Sequence, residues 1–204
     1  MPRNKTENHE KIIEAAFEEF GTYGFEDASM RRIAAACGMS ASGLYKHFPS
    51  KAEMFSSLVK PAVDGLMDLY HEIEREYFDD LADAGRVDVS NSKGELVRAE
   101  EYIYDHLKEF KLIICKSKGS EYENFKHDVA NLEEKVTLRY LEEVKKKGIS
   151  IRHFDLNEFH ILVTACVEAL FQTVVHGFSK KEALHFAATL TLFYAPAWSA
   201  YFGI

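Results

Sequence analysis

One stretch of this chain, Ser29-Met-Arg-Arg-Ile-Ala-Ala-Ala-Cys-Gly-Met-Ser-Ala-Ser-Gly-Leu-Tyr-Lys-His-Phe48, constrains the fold more than any other. It reads as two short helices joined by a tight turn. Ser29 stands where a hydroxyl can accept from the orphan N–H groups of an opening helical turn. Met30, Ile33, Ala34 and Cys37 then fall on one apolar face at helical spacing. Gly38 ends that helix, since a residue without Cβ enters the left-handed conformation at little cost. Ser40 caps the second helix, and Leu44 and Phe48 lie on its inner face. The remaining positions, Ala41, Ser42, Gly43, Tyr45, Lys46 and His47, are small or carry hydrogen-bonding groups. A helix with that outer surface suits the major groove of a DNA duplex.

Charge supports the same direction. From Ser29 to Lys51 there are four fixed positive charges (Arg31, Arg32, Lys46, Lys51) and no carboxylate. Residues 1–60 carry eight basic and eight acidic side chains, so the rest of the chain holds the whole formal net charge of −8. A polyanion is repelled by most of such a molecule and accepted along one short stripe.

The first sixty residues resemble the DNA-binding domain of TetR/AcrR-type transcriptional regulators. The residues that carry the resemblance run Ile12-Ile13-x-Ala15-Ala16-x-x-x-Phe20-x-x-x-Gly24-Phe25, then Ser29-x-Arg31-x-Ile33-Ala34, Gly38-Met39-Ser40 and Leu44-Tyr45-x-His47-Phe48-x-x-Lys51. Beyond them the chain matches the family in helical character and length alone. The resemblance implies an all-α fold: a three-helix helix-turn-helix domain over 1–50, with the helix-turn-helix at 29–48, and a helical effector-binding and dimerisation bundle over 51–204. It implies phosphate contacts from Tyr45, His47 and Lys51, and a guanine contact from Arg31. Ala41, Ser42 and Gly43 fall where base-reading residues lie, yet they offer one hydroxyl between them. Sequence preference is therefore expected from Arg31, Ser42, Lys46 and a thymine-methyl contact with Ala41, supplemented by DNA shape. Ser40 completes the expected DNA-binding set.

Composition bounds the rest. With 204 residues, 47% of them apolar and including fifteen Phe and ten Tyr, the chain can bury a sizeable core. Four prolines and eleven glycines argue against an all-β or disordered chain. No apolar run is expected to approach the ~20 residues of a membrane span, and no signal-peptide core follows the polar start Met1–Lys11. Cys37, Cys115 and Cys166 lack CxxC spacing and sit in apolar helical contexts, which fits reduced thiols in a cytoplasmic protein. Of nine histidines, no two are three or four residues apart, and no Cys/His/Glu cluster has metal-ligand spacing. Phosphate-cradling glycine loops, a GxSxG elbow and a dinucleotide fingerprint are absent from the sequence, so neither catalysis nor a cofactor is expected.

The pattern predicts about nine helices and no strand. Thr6 caps the first, which runs to Phe20 and ends in a reversal at Gly21-Thr22-Tyr23-Gly24. Ser50 and Glu53 open a helix to about Leu81 that Pro61 interrupts as a kink and candidate hinge. A loop follows over Asp83–Gly94, with Gly85, Ser90, Asn91 and Ser92. Single helices are expected over about 95–115 and about 121–147, the latter ending in three lysines and Gly148, which suits a helix C-terminus.

Two capping boxes, Asp155/Glu158 and Ser179/Glu182, open the last two helices, with Pro196 in the second. Their breadth of apolar surface points to a self-complementary interface formed by Phe159, Val163, Cys166, Leu170, Val174, Leu190, Phe193, Tyr194 and Trp198. Two helices from each subunit would make a four-helix bundle, as the resemblance also implies. Such a homodimer reads two half-sites of a palindromic double-stranded operator.

The resemblance further implies a repressor released when a small-molecule effector enters the helical core. Tyr102, His106, Phe110, Cys115, Phe125 and Tyr140 are the expected lining, and their aromatic character favours a hydrophobic or planar effector. Two alternatives stand beside this reading. One is a thiol-based redox regulator using Cys115 or Cys166, which requires an accessible, thiolate-favouring site. The other is a helical ligand-binding protein or enzyme whose DNA domain is vestigial.

Overall fold

Local capping chemistry accounts for the starts of four helices. The computed structural model describes residues 8–83, 87 and 94–204 in full, and residues 5–7 and 84 as backbone. The expected Thr6 cap and the loop residues Gly85, Ser90, Asn91 and Ser92 lie outside the residues so described. Among the described residues the chain forms nine helices and no strand: α1 (Lys5–Asp27), α2 (Met30–Ala36), α3 (Ala41–Tyr45), α4 (Lys51–Ala84), α5 (Glu95–Asp105), α6 (Leu107–Lys116), α7 (Phe125–Lys146), α8 (Leu156–Val175) and α9 (Lys180–Phe202). Asp155 accepts from the Asn157 and Glu158 amides at the start of α8. Ser179 and Glu182 form a full reciprocal capping box at the start of α9.

The helices divide into two compact units, with the division falling inside α4 between Asp64 and Gly65. The first unit takes the chain up to Asp64 together with His106–Asn124. Its core joins Ile12, Ala16 and Phe20 of α1, Ile33 of α2, Leu44 of α3, Met54 and Phe55 of α4 and Phe110 of α6, all buried. Phe20 and Phe25 both meet the Phe55 ring edge-on, with centroids 5.0 and 5.2 Å away.

The expected reversal at Gly21–Gly24 takes a different form. The helical run continues through Gly21 and breaks at Gly24, whose φ of 75° and ψ of 169° lie in a region essentially reserved for glycine. That break turns Phe25 back into the core.

The second unit, Gly65–Asp105 with Phe125–Ile204, contains the rest of α4, then α5, α7, α8 and α9. Phe159 and Val163 of α8, Leu141 of α7 and Phe202 of α9 form one buried cluster, with Trp198 and Tyr201 packed against it. By length and composition α8 could cross a membrane, contrary to the expectation that no segment came close. Its Phe159, Val163, Leu170, Phe171 and Val174 are instead buried in this unit.

Two further boundaries differ from expectation. The helix expected over 95–115 is two helices, broken at His106, whose φ of −118° and ψ of 35° are non-helical. The residues on either side are buried in different units, Ile103 in the second and Phe110 in the first, and one straight stripe cannot serve both. The helix expected from 121 begins at Phe125. Before it, Ser117 and Ser120 hydroxyls hold a series of turns by donating to the Ile113 and Ser117 carbonyls at 2.5 and 2.6 Å. Pro61 lies inside α4, which is continuous through it.

Candidate nucleic-acid interface and core cavity

Leu44, fully buried, anchors α3 to the first unit and so fixes which residues face out. Ser42, Tyr45, Lys46 and His47 are exposed, while Ala41 and Gly43 are half-buried. The Ser40 hydroxyl accepts from the Gly43 amide at 3.1 Å, so the cap expected there is formed. Gly38, at φ 66°, makes the turn between α2 and α3. Arg31 at the start of α2 is exposed as well.

Ser29 behaves otherwise. Its backbone is extended as a cap should be, but its hydroxyl makes no capping bond. Its amide instead donates to Glu19 Oε1 at 2.7 Å, and Arg32 Nε donates to the same oxygen at 2.8 Å. Arg32 also donates to the Asp27 carbonyl at 2.8 Å and lies 4.2 Å over the Tyr23 ring. Both neighbouring arginines are exposed, and Arg32 is the one tied to α1, through Glu19 and the Asp27 carbonyl.

Lys51 is likewise committed. Its ammonium donates to the Glu26 and Ala28 carbonyls at 2.8 and 3.3 Å and lies 4.8 Å over the Phe25 ring. It ties the end of α1 to the start of α4, where a phosphate contact was expected.

The second unit holds a cavity of about 210 Å³ among α4, α5, α7, α8 and α9. Its walls are apolar and aromatic, including Phe78, Tyr140, Phe159 and Trp198. Three carboxyl groups, of Glu74, Glu95 and Glu133, are the charged residues lining it. Glu74 pairs with Arg139, and Glu95 receives the Tyr77 hydroxyl at 2.8 Å. Burial raises Glu133 above the usual carboxylate range, against hydrogen bonds from Tyr70 and Thr137 that pull it down. Burial, then the nearby Glu133 charge, raises Tyr70. Burial also pushes the Cys166 thiol up to about 12.

The comparisons with known proteins bear on both sites. A model of bacterial regulatory proteins of the tetR family matches residues 12–58, from α1 through α2 and α3 into α4. The head of the chain, residues 12–58, is a DNA-binding domain of the TetR type. An HTH-type transcriptional regulator of Staphylococcus aureus strain USA300 is 24% identical over 172 residues, spanning 76% of this chain and 91% of its own. A TetR-like transcriptional regulator from a Rhodococcus species superposes with a TM-score of 0.52 at 21% identity, covering 94% of this chain and 96% of that one. The regulator FadR from Bacillus subtilis, solved in complex with stearoyl-CoA, superposes with a TM-score of 0.58 at 12% identity, over 92% and 97% of the two chains. The TetR-type fold therefore extends beyond the matched head, and the chain is a DNA-binding transcriptional regulator.

The residues expected to line an effector pocket are mostly elsewhere. Tyr140 lines the cavity. Tyr102 presses on the bare Cα of Gly65, and Phe125 packs edge-on against Phe171 at 5.8 Å. His106, Phe110 and Cys115 belong to the first unit: His106 precedes α6, Phe110 is core, and Cys115 is exposed.

The expected dimer residues also move. Phe159, Val163, Cys166, Leu170 and Trp198 line the cavity instead. Val174 and Leu190 are buried within the chain, and Tyr194 is half-buried. Only Phe193 of that set is broadly exposed, at 69%, beside Leu192 at 78%, with Ile161 of α8 at 65%.

Glu19 and Glu133 were not anticipated. Val129, Val136 and Tyr140 form a stripe on α7, and Glu133 occupies the position four after Val129 and three before Val136. A carboxylate set into an apolar stripe is the signal that marks it.

Proposed function

We propose that two copies of this chain bind a palindromic operator, repress transcription there, and leave it when a small hydrophobic or aromatic molecule occupies the cavity of the second unit. The head carries the reading: a five-residue helix, held by buried Leu44, turns Ser42, Tyr45, Lys46 and His47 outward beside Arg31. Arg31 is suited to guanine, Ser42 and Lys46 to base edges, and Ala41 to a thymine methyl. Tyr45 and His47 are suited to phosphates. The acidic remainder of the chain keeps DNA to this surface. Exposed Ile161, Leu192 and Phe193 support pairing through α8 and α9. The complex of the B. subtilis regulator of the same fold with stearoyl-CoA supports a small-molecule effector.

The test begins with selection of bound fragments from random DNA. Affinity for the selected duplex is then compared between the native chain and one with Arg31, Tyr45 and Lys46 all replaced by Ala. The expected loss is roughly a hundredfold or more. Undiminished affinity in the triple variant overturns the proposed surface.

A further inference from the structure

We propose that the cavity of the second unit takes a compact hydrophobic amine, whose ammonium is held by the Glu133 carboxylate against an aromatic wall. This rests on the reading of that cavity as the effector site and adds the chemistry of what enters it.

The charge of the lining comes first. Among the described residues that line the cavity there are three glutamates and no lysine, arginine or histidine. Glu74 is answered by Arg139 and Glu95 by the Tyr77 hydroxyl. Among the described residues Glu133 has neutral donors, the hydroxyls of Tyr70 and Thr137. A carboxylate out of water without a countercharge is costly, and an incoming ammonium removes that cost. An anionic guest would add a second negative charge at the same spot.

The walls suit the same guest. Phe78, Tyr140, Phe159 and Trp198 make the lining aromatic and apolar, which suits the hydrophobic body of such a guest. At about 210 Å³ the space is smaller than the ~300–1,000 Å³ of drug-sized sites, so the guest is compact.

Protonation gives the proposal its own signature. Burial keeps Glu133 protonated to higher pH than an ordinary glutamate, and a bound ammonium favours its ionised form. Binding at a pH where the empty site still holds that proton therefore releases it to solvent. The other titratable groups around it are Tyr70, Glu74 and Tyr77 of α4, Glu95 of α5, Arg139 and Tyr140 of α7, and Cys166 of α8. Tyr70 and Cys166 are both pushed upward and stay neutral through this range. Glu133→Gln identifies which group gives up the proton.

Calorimetry on the full chain with 4-phenylbutylamine, 4-phenylbutan-1-ol and 4-phenylbutyrate separates headgroup charge from a shared body. The amine should bind about tenfold or more tighter than the alcohol, as a charge-assisted contact implies, with the carboxylate weakest. Two buffers of different ionisation enthalpy should reveal the released proton in the native chain, which needs no variant. Glu133→Gln should bring the amine close to the alcohol and abolish proton release. Equal or tighter binding of the alcohol or carboxylate, absence of proton release, or no binding by any of the three overturns the proposal. Release from the selected duplex is read separately. An amine that binds in this way yet leaves DNA bound overturns the effector reading while the cavity's chemistry stands.

Discussion

Arg32 of α2 and Glu19 of α1 meet through one oxygen: Nε and Nη2 of the guanidinium stand 2.8 and 2.5 Å from Glu19 Oε1. Glu19 is only 8% exposed, and the same oxygen receives the Ser29 amide. The pair thus fixes both the start of α2 and its angle to α1, so the head depends on a carboxylate buried between these helices.

Arg32→Ala should therefore lower the thermal stability of the head, because it strips a buried carboxylate of a charged donor. Arg31→Ala should leave thermal stability unchanged while weakening binding to the selected duplex. Thermal unfolding and DNA titration of both variants check the pair. Equal stability losses from the two would remove the distinction drawn between these neighbours.

Lys46 is exposed at the end of α3, whereas Lys51 is held by two backbone carbonyls. Lys46→Ala should cost about 1–3 kcal/mol on the preferred duplex and much less on unrelated DNA if it reads a base. An equal loss on every duplex, with a shallower salt dependence, would make it a phosphate contact instead. Lys51→Ala should lower thermal stability, since it unfastens α1 from α4.

How far these features were legible depends on how local their causes are. The all-helical character, the Ser40, Asp155 and Ser179 caps and the Gly38 turn come from neighbours within a few residues, and all could be read from sequence. The break at His106 could not, because Ile103, Leu107 and Phe110 continue one apolar stripe across it. Only tertiary packing assigns its two sides to different units. Likewise α8 is apolar around most of its circumference, so periodicity could not separate core, cavity and outer face. Residues expected at a dimer seam, such as Val163 and Cys166, turn to the cavity for that reason.

Glu100 offers a test of stability against pH. It is fully buried on α5, accepts from the Thr173 hydroxyl at 2.5 Å, and is raised by burial from 4.5 to about 7. Between those values the folded chain keeps a proton that the unfolded chain has released. The associated stability is present below about 4.5 and is lost as pH rises through about 7, up to roughly 3 kcal/mol. Glu100→Gln removes this titration, so unfolding free energies measured between about pH 5 and pH 8 should fall less steeply than in the native chain. A variant that follows the native slope would show that Glu100 does not drive it.

The thiols should differ in reactivity. Cys166 is pushed up to about 12 by burial, and Cys37, also raised by burial, donates its thiol to the Lys11 carbonyl at 3.5 Å. Cys115 is exposed. Alkylation near neutral pH should label Cys115 rapidly and Cys166 very slowly, since the thiolate is the reacting form. Mass spectrometry of a time course distinguishes them, and early modification of Cys166 would contradict its buried, neutral state.

Leu192 and Phe193 stand out on α9 at 78% and 69% exposure, on a helix whose Ala183, Ala187 and Leu190 are buried within the chain. Replacing both with Asp removes no core contact, so the monomer should keep its fold and its thermal transition. If these side chains lie at the centre of a dimer seam, each contributes about 2 kcal/mol or more, and self-association should weaken by at least ~30-fold per residue. Sedimentation equilibrium reads this directly. The same variant should lose affinity for a two-half-site duplex far more than for a single half-site, because only the former requires both α3 helices at once. A double variant that sediments as a dimer and binds the full operator normally would move the seam away from this face of α9.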